Sequence, residues 1–140
     1  MKEHIPITEI VHRSDIVVHA GDRISVAYRL MKTNMLMYIP VVAHGEVIGI
    51  IGRKNMQRLG FGYTYEGYED IEIGLFDMLQ VDQVMDKDLP SVALDAAMWE
   101  VAELMATNGF AALPVVHERK PVGFIDINDV LLFLLKKYEA

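Results

Sequence analysis

The chain repeats itself, and that repeat limits its fold more than any other feature. Sliding the sequence by 74 residues lays IPVVAHGEVIGIIGRKN (39–55) on LPVVHERKPVGFIDIND (113–129) without a gap. At the same offset LMKTN (30–34) pairs with LMATN (104–108), and Val18 with Val92. Whatever local structure one half adopts, the other must adopt as well.

Each half reads as the same string of elements. Ile24, Ala27, Tyr28 and Met31 recur at helical spacing, which predicts an amphipathic helix from Asp22 to about Thr33. Met98, Val101, Ala102 and Met105 do the same, with Asp95 as the expected N-cap. Asn34 and Asn108-Gly109 are the expected stops. Apolar, β-branched runs follow at 36–43 and 110–117, then turns (His44-Gly45; Glu118-Arg119-Lys120), then second runs at 46–51 and 121–125. Each pair is a hairpin. A closing helix is expected over Arg53 to Leu59 and over Asn128 to about Tyr138. With a first strand near Val18 and Val92, the unit is β-α-β-β-α.

The fold class is therefore α/β (α+β), with two pseudo-symmetric units. One unit alone is marginal, because three strands and two short helices leave a sheet face uncovered. Two copies can cover each other and fold as one body. The expected division is 1–59 for the first unit, 60–80 for an insertion and 81–140 for the second. The insertion is rich in glycine, tyrosine and acidic residues. It reads as a surface linker ending in a short helix (about 70–80), or as a lid or dimer contact, since exposed aromatics favour interfaces.

Composition excludes several function classes. Thirteen Lys and Arg against twenty Asp and Glu leave a formal charge of -7, which argues against a duplex nucleic-acid surface. With no cysteine, there is no disulfide framework, thiolate metal site or thiol nucleophile. The start, MKEHIPITEI, lacks the apolar run of a signal peptide, and Val130 to Leu135 is too short to span a bilayer. A cytoplasmic location without membrane association is the expectation. His4, His12, His19, His44 and His117 include no i, i+4 pair, so solvated or core roles are expected and no metal site. Most methionines fall at helical core positions, and Trp99 reads equally as core or interface. No phosphate loop, dinucleotide fingerprint or nucleophile elbow is present, and no enzymatic activity is expected.

The twice-occurring PVV hairpin, its Gly-containing second strand, the short helix behind it and the Val84-Met85 start make the chain resemble a tandem pair of cystathionine-β-synthase (CBS) domains, or Bateman module. The resemblance implies two CBS units packed together as one stand-alone module, with two equivalent clefts between them that commonly bind adenine nucleotides. It also implies association as a homodimer. In the resembling family each cleft is marked by G-h-h-S/T-x-x-D at the junction of hairpin and last helix. The hydroxyl lies at a helix N-cap, where free N–H groups attract phosphate, and the carboxylate one turn on accepts two bonds from a ribose diol.

The second repeat reads Gly123-Phe124-Ile125-Asp126-Ile127-Asn128-Asp129. Asp129 matches the ribose position, while Asp126 replaces the hydroxyl and also reads simply as an N-cap. The first repeat reads Gly49-Ile50-Ile51-Gly52-Arg53-Lys54-Asn55. Gly52 replaces the hydroxyl and Asn55 the carboxylate, so this site is expected to be weaker. Arg53 and Lys54 are either solvent-exposed or an anion contact that makes good the missing hydroxyl. By position the resemblance assigns Met85, Asp88, Leu89, Pro90, Phe110, Ala111, Ala112 and Pro114 to the walls of the second site. It assigns Val11, Ser14, Asp15, Ile16, Leu36, Met37, Tyr38 and Pro40 to the first. The Tyr38 ring either stacks on adenine or caps the hairpin.

The expected function is a non-catalytic regulatory sensor that needs no cofactor. It binds AMP, ADP or ATP, is more competent at the second site, and signals to an unidentified protein partner. Cyclic di-AMP and an S-adenosyl ligand are the alternatives. A ligand-free dimerisation or scaffold module with vestigial clefts is the reading from another class.

Overall fold

In a computed structural model, residues 3–58 and 76–139 are described. The order is a 3-10 turn (Ile7–Glu9), β1 (His12–Arg13), β2 (Val18–His19), α1 (Ile24–Asn34), β3 (Tyr38–Ala43), β4 (Glu46–Gly52) and α2 (Arg53–Gln57). A second 3-10 turn (Val81–Gln83), β5 (Val92–Ala93), α3 (Met98–Asn108), β6 (Ala112–His117), β7 (Lys120–Asp126) and α4 (Ile127–Glu139) follow. The fold is mixed α+β, and the 74-residue offset carries each element of the first half onto one of the second, β1 excepted. Residues 59–75, which hold most of the insertion and the first part of its expected 70–80 helix, lie outside the described residues, and α2 ends at Gln57 with Arg58 as its cap.

Packing divides the chain into two bodies, Met1–Asp15 with Pro90–Ala140, and Ile16–Leu89. In the second body β2 runs parallel to β3, with Val18 opposite Val41, and β3 is antiparallel to β4. In the first body Val92 lies opposite Val115 in the same way, β6 pairs with β7, and the sheet order is β1-β7-β6-β5. Val18, Ile24, Ala27, Met31, Ile39, Val41, Ile51, Met56 and Val81 form one core. Their counterparts Val92, Met98, Val101, Met105, Leu113, Val115, Ile125, Val130 and Ile7 are all buried too. Each large aliphatic buried in this way contributes about 1.5–3 kcal/mol, so the repeat preserves the positions that hold the fold.

Three expectations are corrected by the caps. Met35, with φ of 55°, takes the left-handed position after α1, so the stop is one residue beyond Asn34. Asn34 and Asn108 instead donate their side-chain amides to the Leu30 and Leu104 carbonyls, each at 2.9 Å. Leu36 and Phe110 N–H bond back to Met31 and Met105 carbonyls at 2.9 and 3.0 Å, closing a Schellman-type cap. That use of 36 and 110 is why β3 and β6 begin two residues later than the apolar runs suggest. Asp95 does not cap α3; the cap position is Ala97, without a side-chain bond. Both hairpins turn on two residues of positive φ, His44-Gly45 and Glu118-Arg119, leaving Lys120 as the first residue of β7.

The feature the sequence reading lacks is β1. His12 and Arg13 pair antiparallel with Phe124 and Gly123 of β7. The counterpart of His12 at the repeat offset is Asp86, which exchanges backbone bonds with Ile50 of β4 (3.2 and 2.9 Å). Each hairpin edge is thus completed by the segment that leads into the opposite repeat. Glycine permits it: a Cβ at Gly123 would collide with the His12 carbonyl oxygen, and one at Gly49 with the Asp86 carbonyl oxygen.

Candidate functional site

In the second repeat β7 runs directly into α4, and the junction sets two carboxylates one turn apart. Asp126 Oδ1 accepts the Asn128 N–H at 2.7 Å, so Asp126 is an N-cap. The Ile127 N–H donates to the Ala111 carbonyl at 2.9 Å, tying the helix start to the strand entry. Asp129 points from the first turn of α4 and keeps 29% of its side chain exposed. Its Oδ2 is bonded by His12 Nε2, whose ring stacks on Phe124 with centroids 4.8 Å apart and planes 10° from parallel. Because an ionised carboxylate only accepts, His12 is the donor, and Asp129 retains acceptor capacity beyond that one bond.

The first repeat has the same scaffold with different chemistry. Arg53 N–H reaches the Met37 carbonyl at 3.2 Å, matching Ile127 and Ala111. Asn55 is 6% exposed and fully used. Its Oδ1 accepts the Gly52 N–H at 2.8 Å, and its amide donates to the Val84 carbonyl and Asp86 Oδ1, each at 3.1 Å. Asn55 thus does the work of a capping residue one turn inside the helix. The Tyr38 ring is 9% exposed, and a Cβ at Gly52 would come within 2.7 Å of it. Tyr38 therefore explains the missing hydroxyl: it fills the space a serine or threonine would need. Its buried ring packs against Gly52 at the hairpin end. Arg53 and Lys54 are exposed at the start of α2.

The walls expected from position are regrouped by the strand exchange. Met85, Asp88 and Leu89 belong to the body of the first repeat's hairpin, where Met85 Sδ would lie 3.2 Å from a Cβ at Gly49. Val11, Ser14 and Asp15 belong to the body of the second repeat's hairpin. Ile16 and Pro90 stay with their own repeats. Pro40, Ala112 and Pro114 are buried, Leu36, Phe110, Val11, Ser14, Ile16 and Leu89 half-buried, and Met37, Ala111, Asp15, Asp88 and Pro90 exposed. Asp88 adopts a positive φ of 59°. Trp99 is half-buried.

His12 and Asp86 are the contacts that sequence reasoning missed. Their signal was present: the offset that aligns Asn55 with Asp129 also aligns Asp86 with His12, so amide faces carboxylate in one repeat and carboxylate faces imidazole in the other. Among the described residues no group of three or more His, Asp and Glu is placed to hold a metal ion. No described helix is long and apolar enough to cross a membrane.

The CBS domain model matches residues 7–60 and 81–136. Protein MJ1225 of Methanocaldococcus jannaschii is 28% identical over 133 residues, covering 94% of this chain and 48% of that protein. This chain thus spans about half the length of that relative. The crystal structure of MJ1225, described there as a proposed archaeal homologue of γ-AMPK, superposes with a TM-score of 0.70 at 27% identity, covering 96% of this chain and 49% of that one. The CBS domain of a membrane protein from Sphaerobacter thermophilus gives a TM-score of 0.76 at 21% identity over 92% of this chain and 87% of that one. The CBS domain pair of protein MJ0100, solved with 5'-methylthioadenosine and S-adenosyl-L-methionine, gives 0.73 at 19% identity over 96% and 99%. With both matches falling on the two sequence repeats, the chain belongs to the CBS domain family and carries that domain twice.

Proposed function

We propose that this chain is a non-catalytic regulatory module that binds an adenine nucleotide or nucleoside and signals its presence to a partner protein. The observation that carries the reading is the contrast between the two junctions. Asp129 is an accessible carboxylate with spare acceptor capacity, whereas every polar atom of the Asn55 side chain is bonded internally. The second junction is the competent site, with Asp129 on the ribose diol and Phe110, Ala112 and Pro114 beside the base. The complex of the MJ0100 pair with two adenosyl ligands supports the ligand class.

Asp126 narrows that class. A phosphate about 4–5 Å from its carboxylate would cost up to roughly 3–4 kcal/mol at an effective dielectric near 20, less with solvent screening. This favours ligands whose phosphate points away from α4, or nucleosides and S-adenosyl compounds that carry none, over ATP bound in the family's usual sense. Cyclic di-AMP stays in the panel. Thermal-shift measurements with AMP, ADP, ATP, cyclic di-AMP, 5'-methylthioadenosine, S-adenosylmethionine and NADH test the proposal. A ligand at 100 times its Kd adds about 2.7 kcal/mol of stability. Silence across the whole panel would leave the second reading, a scaffold with vestigial sites. The closed first junction favours that reading, as do the exposed Leu131, Leu132, Leu134 and Leu135 on α4, which also support a homodimer.

A further inference from the structure

We propose that His12 is the positioning residue of the Asp129 site, and that the residue at the 12/86 position decides which repeat can carry a ribose-binding carboxylate. The inference rests on the functional reading above and extends it to a residue outside the family's motif. Three contacts hold His12 in place. Its backbone pairs with Phe124, its ring stacks on the Phe124 ring, and its Nε2 bonds Asp129 Oδ2. Arg13 beside it is clamped over Gly123, the glycine whose missing side chain admits the His12 carbonyl. The imidazole is therefore fixed to β7 and can fix the carboxylate in turn, leaving the other oxygen and the spare lone pairs of Asp129 for the two hydroxyls of a ribose.

The equivalent position in the first repeat works the other way. Asp86 sits where His12 would, and its Oδ1 receives the Asn55 amide at 3.1 Å. An aspartate at 55 would bring two carboxylates into that contact, with no donor between them. Asn55 is thus required by Asp86, and a carboxylate at 129 is permitted by His12. One residue in each exchanged segment selects the chemistry of the opposite repeat's motif, and so the asymmetry of the two sites is written outside the motifs themselves.

The test uses the full chain and two probes, adenosine and 2'-deoxyadenosine, with affinity read by titration calorimetry. A ribose diol held by an oriented carboxylate predicts about tenfold or more tighter binding of adenosine than of its 2'-deoxy analogue in the wild type. H12A is expected to lower adenosine affinity and shrink that ratio to about threefold or less, while leaving 2'-deoxyadenosine nearly unchanged; H12Q, which keeps a side-chain donor, is expected to restore part of the ratio. A general loosening of the fold would weaken both probes alike and overturn the proposal, as would an unchanged ratio in H12A. A ligand-free double-mutant cycle between H12A and D129A, which removes the acceptor, checks the pair by itself when read by urea denaturation. Additive effects there would also overturn it. Wild-type protein that binds neither probe nor any ligand of the adenine panel would instead sink the functional reading, which separates the two failures.

Discussion

Replacing Asn55 with aspartate restores the carboxylate that the family's motif carries, and the structure predicts that it damages the protein. The new side chain keeps the bond from the Gly52 N–H, because that contact needs only an acceptor. It loses the two amide donations, to the Val84 carbonyl and to Asp86 Oδ1. At about 1 kcal/mol each these amount to roughly 2 kcal/mol. The two carboxylates then face each other at about 3 Å. Coulomb repulsion there is about 5 kcal/mol at an effective dielectric of 20 and near 1 kcal/mol in bulk water. Asp86 is exposed, so the lower part of that range applies, roughly 1–2 kcal/mol. The total cost is about 3–4 kcal/mol, or roughly 10 °C or more in Tm for a chain of this size. The assay is urea and thermal denaturation of N55D beside the double variant N55D/D86H, which transplants the His12–Asp129 arrangement into the first repeat. The double variant should recover about 2 kcal/mol of the loss. N55D as stable as wild type, or a double variant no more stable than N55D, would refute the reasoning.

Two further substitutions test the backbone. G123A should cost about 3 kcal/mol or more, since its Cβ meets the His12 backbone and φ there is 150°, while G21A, with nothing within 4 Å, should stay within about 1 kcal/mol of wild type; paired denaturation curves decide. R119G should raise stability by about 0.5–1 kcal/mol, because Arg119 holds a φ of 69° where the first hairpin uses Gly45, and a lower Tm would contradict the equivalence of the two turns.

The parts of the fold that were legible share a physical cause. Helical periodicity at Ile24, Ala27 and Met31, repeated at Met98, Val101 and Met105, reports burial directly, and burial is what the structure shows at all six. Turn residues and the PVV runs located the hairpins because two-residue turns demand unusual φ. The partnership of β1 was not legible. Two residues carry no alternation to read, and their pairing depends on a long-range choice that only the bare Cα of Gly123 betrays. For the same reason the sequence does not reveal that Met85 packs in the body of the first repeat's hairpin and Val11 in that of the second. At the site, the motif located Asp129 and Asn55 but not their states. Asn55 looks like a weaker ligand in sequence and is a consumed structural group in the fold. Tyr38 reads in sequence either as a stacking ring or as a hairpin cap, and in the fold its buried ring occupies the space beside Gly52.

The central claim, that one of the two motif sites is competent and depends on Asp129, is tested most directly by titration calorimetry of the full chain with 5'-methylthioadenosine and AMP. The account predicts one equivalent bound per chain, abolished in D129A and retained in R53A and K54A. Two equivalents, or binding that survives D129A and is lost in K54A, would contradict it.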